Sequence, residues 1–117
     1  MGPVPADEKW IDLEIKTWPE FNQNVLGNEE DKLIIVMYKA KWCRACKQMK
    51  QVMARIKKKH GDDITFGGVD FNYNGGTVRN QKVKSLPTFV FYKSGKEVFR
   101  VSGMKKKEIE AEIANHK

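Results

Sequence analysis

The spacing of hydrophobic and polar positions predicts an alternation of strands and helices. Residues 11–15 alternate between apolar and polar side chains, as in a half-buried strand. Residues 33–38 form a continuous apolar run, which is typical of a strand buried on both faces of a sheet. Apolar residues at 49, 52, 53 and 56 fall at i, i+3, i+4 and i+7, which predicts a helix with one apolar face that stops at Gly61.

The remaining pattern completes an α/β fold. The run Thr17-Trp18-Pro19-Glu20 has the form of a helix capping box and predicts a short helix that ends near Gly27. Further strands are predicted at 64–71, 88–92 and 97–101, and further helices at 77–83 and 105–115. The order β-α-β-α-β-α-β-β-α predicts a central mixed sheet flanked by helices. Strands separated by helices are expected to pair in parallel, and the last hairpin is expected to add an antiparallel edge.

The length of 117 residues fits a single domain, 1–117, with residues 1–9 as a candidate flexible extension. The longest apolar run has six residues, far fewer than the roughly 20 needed to span a bilayer, so no membrane association is expected. The first residues lack the apolar stretch of a secretory signal. We therefore expect the cytoplasm, or an organelle such as the plastid if a transit peptide has been removed.

Two cysteines, the only ones in the chain, lie at the head of the predicted helix after residue 42. The spacing of Cys43 and Cys46 lets one thiolate attack a disulfide while the other resolves the adduct, and a helix N-terminus stabilises a thiolate. One such pair supplies half of the four ligands of a zinc site, so no metal is expected. A purely structural disulfide over so short a loop would constrain the unfolded chain little. The pair predicts dithiol–disulfide exchange.

The net charge of +7 is unevenly distributed. Residues 1–31 carry eight acidic residues and two lysines, whereas residues 39–60 carry nine basic residues and no acid. For Lys41, Arg44 and Lys47 we favour a role in lowering the thiol pKa and attracting acidic protein partners. For residues 57–59 we favour a solvated helix face. No nucleic-acid-binding motif accompanies the charge, so nucleic acid is not an expected partner.

Three segments in order resemble the thioredoxin family, over nearly the whole chain from about Ile11. They are the active-site run Trp42-Cys43-Arg44-Ala45-Cys46-Lys47, the run Ser85-Leu86-Pro87-Thr88-Phe89, and the turn Lys93-Ser94-Gly95-Lys96-Glu97 with the later Ser102-Gly103. The resemblance implies a thioredoxin fold and a protein-disulfide reductase type of activity with a role in electron transport. It also implies a monomer with disulfide-containing client proteins and an upstream reductase, and no cofactor beyond the cysteine couple.

The resemblance also implies roles for single residues. Cys43 is the expected nucleophile and Cys46 the resolving cysteine. Pro87 is expected to be a cis-proline packed against the disulfide, although without the resemblance it would simply be the first residue of a strand. The backbone of Leu86 is an expected docking edge for substrate, and Gly103 is expected beside the active site. Trp42 is expected to form an apolar rim beside the cysteines, with ordinary core packing as the alternative.

Several positions depart from the family pattern. These departures concern the redox potential of the cysteine couple and the path of the proton. Arg44-Ala45 stands where Gly-Pro usually separates the cysteines, and Met37 replaces a buried acid thought to assist proton transfer to the second cysteine. Lys39, Gln51 and Gly68 also replace residues that the family commonly has. Arg44 is expected to make the couple more oxidising. The direction of the reaction, reductase or oxidase/isomerase, stays open, and a thioredoxin-fold binding module that docks an acidic partner is the alternative function.

Overall fold

A five-stranded mixed sheet forms the centre of the molecule in a computed structural model that describes residues 9–117. The strands are β1 (Leu13–Ile15), β2 (Leu33–Lys39), β3 (Ile64–Asp70), β4 (Thr88–Lys93) and β5 (Lys96–Ser102), in the spatial order β1-β3-β2-β4-β5. The last four strands agree with the predicted bounds to within one residue at each end. The predicted flexible extension lies outside the described residues, apart from Lys9.

Four helices of residues 9–117 flank the sheet. They are α1 (Trp18–Phe21), which continues directly into a π-helical turn (Asn22–Leu26), α2 (Arg44–His60), α3 (Gly75–Asn80) and α4 (Lys106–His116). The predicted capping box is confirmed, because the Thr17 side chain accepts the Glu20 N–H and the Glu20 carboxylate accepts the Thr17 N–H. Within residues 9–117, no helix is long and apolar enough to cross a bilayer.

The sheet separates two hydrophobic clusters, and β2 contributes to both because its side chains alternate between faces. One cluster joins Leu33, Ile35 and Met37 of β2 to the apolar faces of α2 and α4. The other cluster joins the alternate residues of β2 to α1, its π-helical extension and α3. All six residues of the apolar run 33–38 are buried, as predicted, and Lys39 at the end of β2 is buried as well.

The direction of β4 differs from the prediction that strands separated by helices pair in parallel. β1 and β2 both pair in parallel with β3, but β4 pairs antiparallel with β2. Helix α3 has only six residues, about 9 Å at 1.5 Å per residue, whereas the seven residues of β3 span about 23 Å. The chain therefore does not return to the start of the sheet, and β4 begins at the edge where β3 ends.

Two smaller predictions also need correction. The first strand begins at Leu13 rather than Ile11, although the Asp12 N–H still bonds to the Phe66 carbonyl. Lys57 is not part of a solvated face: its ammonium lies 2.9 Å from both Asp12 carboxylate oxygens. Asp12 also accepts the Phe66 N–H, so this ion pair ties α2 to the edge of the sheet. Lys58 and Lys59 are exposed, as predicted.

Candidate active site

The cysteine pair lies where β2 leads into α2. Cys43 is the N-cap of the helix, in extended conformation, and its sulfur accepts the Cys46 N–H at 3.1 Å. The two sulfurs are joined in a disulfide, with their Cα atoms 5.2 Å apart. The prediction that the pair heads the helix is therefore confirmed. At this position an anionic sulfur would face the unpaired N–H groups and the positive end of the dipole of a 17-residue helix.

The two cysteines differ in accessibility. Cys43 retains 6% of its surface, whereas Cys46 retains none. Cys46 lies in the hydrophobic cluster with Met37, Met49 and Ala40. An external sulfur can therefore approach Cys43 but not Cys46.

Trp42 lies at the surface beside the pair, with 64% of its area exposed. Its indole N–H donates to the Asn72 side-chain oxygen at 3.2 Å, and its ring packs edge-on against Phe71 with centroids 6.4 Å apart. The alternative that Trp42 is a core residue is wrong, because the loop after β3 holds the indole outside the core. The part of Trp42 in binding a client stays a prediction.

Leu86 and Pro87 lie directly before β4. The peptide bond between these residues is cis, as the resemblance implied, and Pro87 is buried. The Pro87 carbonyl accepts the Gly103 N–H at 2.8 Å, so these two predicted site residues are in contact. Leu86 packs against the hydrophobic cluster that contains both cysteines. The fold therefore brings Leu86, Pro87 and Gly103 together, whereas the turn at residues 93–97 lies at the other end of the hairpin of β4 and β5.

Basic side chains lie near the cysteine pair, and no carboxylate of the described residues neutralises their charge. Lys41, Arg44 and Lys47 are exposed, and Ala45 is half-buried against the cysteine cluster. None of these three cations lies within 4 Å of a carboxylate among residues 9–117. The surface at the attackable sulfur is consequently positive.

Two of the unusual residues, Lys39 and Gly68, lie next to each other beside Glu14. Met37 is fully buried in the cysteine cluster, so no carboxyl group occupies that position. The nearly buried Lys39 side chain places its ammonium 3.2 Å from Glu14. A Cβ on Gly68 would lie 2.9 Å from Cε of Lys39 and 3.2 Å from the Glu14 carboxylate, so glycine leaves room for this ion pair. No local sequence signal could have indicated the pair, because its partners are 25 residues apart.

The loop after β3 is the part of the site that the sequence did not predict. The Asn and Gly content of residues 72–76 predicts only a loop, yet the Asn72 side chain accepts the indole N–H of Trp42. Asn74 caps α3 through the Thr77 N–H and donates to the Ile15 carbonyl of β1. Among residues 9–117, no three His, Cys, Asp or Glu side chains are grouped so that they could hold a metal ion.

Known proteins resemble this chain along nearly all of its length. The model of the family described as Thioredoxin matches residues 12–115. Thioredoxin H-type 1 of Nicotiana tabacum is 36% identical over 102 residues, which cover 87% of this chain and 79% of that protein. The structure of thioredoxin NaTrxh from Nicotiana alata has a TM-score of 0.82 at 31% identity and covers 90% of this chain and 91% of its own. The structure of Fasciola hepatica thioredoxin has a TM-score of 0.83 at 28% identity, covering 90% of this chain and 99% of its own.

Proposed function

Because the chain belongs to the thioredoxin family, we propose that Cys43 attacks client disulfides and that Cys46 resolves the adduct. The chain is a thiol–disulfide oxidoreductase with a redox-active CxxC pair. The observation that carries the assignment of roles is the difference in accessibility at the helix N-terminus: the Cys43 sulfur can be reached and the Cys46 sulfur cannot.

In the first step, the Cys43 thiolate attacks one sulfur of a client disulfide. A bond forms between Cys43 Sγ and that sulfur, the client S–S bond breaks, and the other client sulfur leaves as a thiolate that takes a proton from water. The Cys46 N–H, which donates to Cys43 Sγ in the disulfide form, is placed to stabilise the Cys43 thiolate in the dithiol form.

In the second step, the Cys46 thiolate attacks Cys43 Sγ. The Cys43–Cys46 bond forms, the mixed disulfide breaks, and the second client sulfur leaves as a thiolate. The client gains two electrons and the cysteine pair loses two. Met37 lies in the cluster around Cys46, and no Asp or Glu of residues 9–117 is buried. The Cys46 proton is therefore not taken up by a buried carboxylate and is released to the solvent as the client leaves.

The client docks, on this proposal, across Trp42, Leu86, Pro87 and Gly103. Leu86 lies just before β4, and neither its N–H nor its C=O forms a hydrogen bond with another group of residues 9–117. An extended client segment can pair with those groups as an added strand. The exposed indole of Trp42, the residue before Cys43, offers an apolar contact to the client.

Membership of the family implies disulfide-containing protein targets and a reductase that returns the pair to the dithiol state. We propose in addition that the preferred targets have acidic surfaces, which the unneutralised cations Lys41, Arg44 and Lys47 support. A single domain, a monomer and the absence of a further cofactor are part of the same proposal. The cytoplasm as the compartment stays a prediction.

Reduction of insulin in the presence of dithiothreitol tests the proposal. The wild-type chain should accelerate precipitation of the insulin B chain, and Cys43→Ser should lose that acceleration while remaining folded by circular dichroism. A chain that precipitates insulin no faster than dithiothreitol alone, yet still binds acidic proteins, would instead be a binding module.

A further inference from the structure

A cavity of about 380 Å³ opens beside the cysteine pair. The carboxyl ends of β1, β2 and β3 form its floor, with lining residues 14–16, 39–41 and Asp70. Lys50 of α2 and the loop residues Tyr73 and Asn74 complete the walls. The volume lies in the range of sites that hold a ligand group, and none of the proposed chemistry at the two sulfurs uses this space.

The cavity is positively charged. Four lysines, Lys16, Lys39, Lys41 and Lys50, line it together with two acidic residues. One acid, Glu14, is paired with Lys39. Lys16, Lys41 and Lys50 make no ion pair with a carboxylate among the described residues. The second acid, Asp70, makes no ion pair among these residues either, so the lining has two more positive than negative side chains. This excess of positive charge favours an anionic group inside the cavity.

The cavity is within reach of a client bound at Cys43. Lys41 precedes Cys43 by two residues, so their Cα atoms are at most about 7 Å apart. Asn72, which lies between lining residues Asp70 and Tyr73, is hydrogen-bonded to the indole of Trp42. An extended client advances about 3.3 Å per residue, so a side chain two or three residues from the attacked cysteine can reach the cavity.

We propose that this cavity is a specificity subsite that receives a carboxylate side chain of the client, two or three residues from the attacked cysteine. The inference rests on the proposed function, in which Cys43 makes the attack. Lys16, which follows β1, and Lys50 of α2 both line the cavity and bind the carboxylate. Lys39 and Glu14 form an ion pair at the floor, so the binding charge comes from the lysines without a carboxylate partner.

Paired peptides test the subsite. Each peptide carries one disulfide and either a single Glu or a Gln, placed two or three residues from the attacked cysteine on either side. The ratio of kcat/KM values for the Glu and Gln peptides is measured for the wild type and for Lys16→Gln/Lys50→Gln. The control, Lys58→Gln/Lys59→Gln, removes the same charge from exposed positions at the far end of α2.

The wild type should favour the Glu peptide at one placement by about threefold, as expected for a partly exposed ion pair. The cavity variant should lose this preference and the control should keep it. An equal preference in all three proteins would assign the effect to the overall charge and overturn the subsite, as would no preference in the wild type.

Binding of free succinate that only the cavity variant loses, without any peptide preference, would assign the cavity to a free carboxylic acid and also overturn the subsite. Reduction of the Gln peptide measures the disulfide-reductase activity that does not depend on the subsite. If the wild type reduced none of the peptides, the result would count against the proposed function rather than against the subsite.

Discussion

Two local effects act on the Cys43 sulfur. The N-terminus of α2 directs the Cys46 N–H at it, and Arg44, the first residue of that helix, adds an exposed cation that no described carboxylate neutralises. Both effects stabilise the thiolate relative to the thiol and to the disulfide. A stabilised reduced state makes the couple a stronger oxidant.

Replacement of Arg44 should therefore change the redox potential. Arg44→Gln removes the charge but keeps a good helix former. We expect the potential of the Cys43–Cys46 couple to become more negative, by up to about 30 mV, the shift for a tenfold change in the equilibrium constant. Equilibration with glutathione at low salt measures it. Arg55→Gln, an exposed position on the same helix far from the sulfurs, should leave the potential unchanged. Equal potentials in all three proteins would show that the helix terminus alone sets the thiolate.

At the scale of single residues, the chemical role of the two cysteines could be predicted from the sequence, because it depends on residues that are adjacent in the chain. The Lys39–Glu14 pair could not, since it depends on how β1 and β2 are placed on either side of β3. The environment of Trp42 likewise depends on Asn72, which is 30 residues away and gave no signal beyond loop composition.

Between the elements, a buried hydrogen-bonded chain joins β2, β4 and the end of α3. The hydroxyls of Tyr38 and Tyr92 lie 3.0 Å apart, and the Tyr92 hydroxyl donates to the Gln81 side chain at 2.9 Å. Burial raises the pKa of both tyrosines well above the ordinary value, and the neighbouring tyrosine raises the pKa of Tyr92 further. The folded state thus holds two protons that the unfolded chain releases above a pH of about 10.

The stability of the protein should consequently fall at alkaline pH. The contribution of these tyrosines is fully present below the pKa of the unfolded chain and is lost as the pH rises beyond it. Tyr38→Phe removes one such proton, so its unfolding free energy should decline less steeply above pH 10, by up to about 1.4 kcal/mol per pH unit. Urea titrations at several pH values measure the slopes. The exposed position Tyr73→Phe is the control and should match the wild type, whereas a wild-type slope in Tyr38→Phe would contradict the account.

The predicted elements follow the hydrophobic pattern closely because each pattern is set within a few residues. The direction of β4 does not follow from such a pattern. The predicted helix 77–83 and the observed α3 are both too short to carry the chain back along β3, so the rule that strands separated by a helix pair in parallel does not apply to β4. The short connection, rather than the strand itself, decides the pairing with β2.

At the scale of the whole molecule, the attraction of partners depends more on where the charged side chains lie than on the net charge of the chain. The basic residues 41, 44, 47 and 50 cluster beside the cysteines, whereas Lys57, Lys93 and Arg100 are paired with carboxylates elsewhere. A field of one sign at the site steers oppositely charged partners toward it.

The dependence of kcat/KM on salt concentration should therefore differ between acidic and basic client proteins. For an acidic client protein, kcat/KM should fall by about tenfold between low salt and 0.5 M, where charges are screened over a few ångströms. For a basic client with the same disulfide segment, kcat/KM should stay level or rise. The same fall for both clients would mean that salt acts on the chemistry rather than on the encounter.

Trapping of the covalent intermediate tests the assignment of roles most directly. Cys46→Ser keeps the accessible Cys43 sulfur and removes the resolving thiol, so mixed disulfides with client proteins should accumulate on non-reducing gels. Cys43→Ser leaves only a sulfur with no exposed surface and should trap none. Both variants should melt as single folded species, and mass spectrometry should locate the client on Cys43. Mixed disulfides formed by Cys43→Ser, and not by Cys46→Ser, would contradict the assignment.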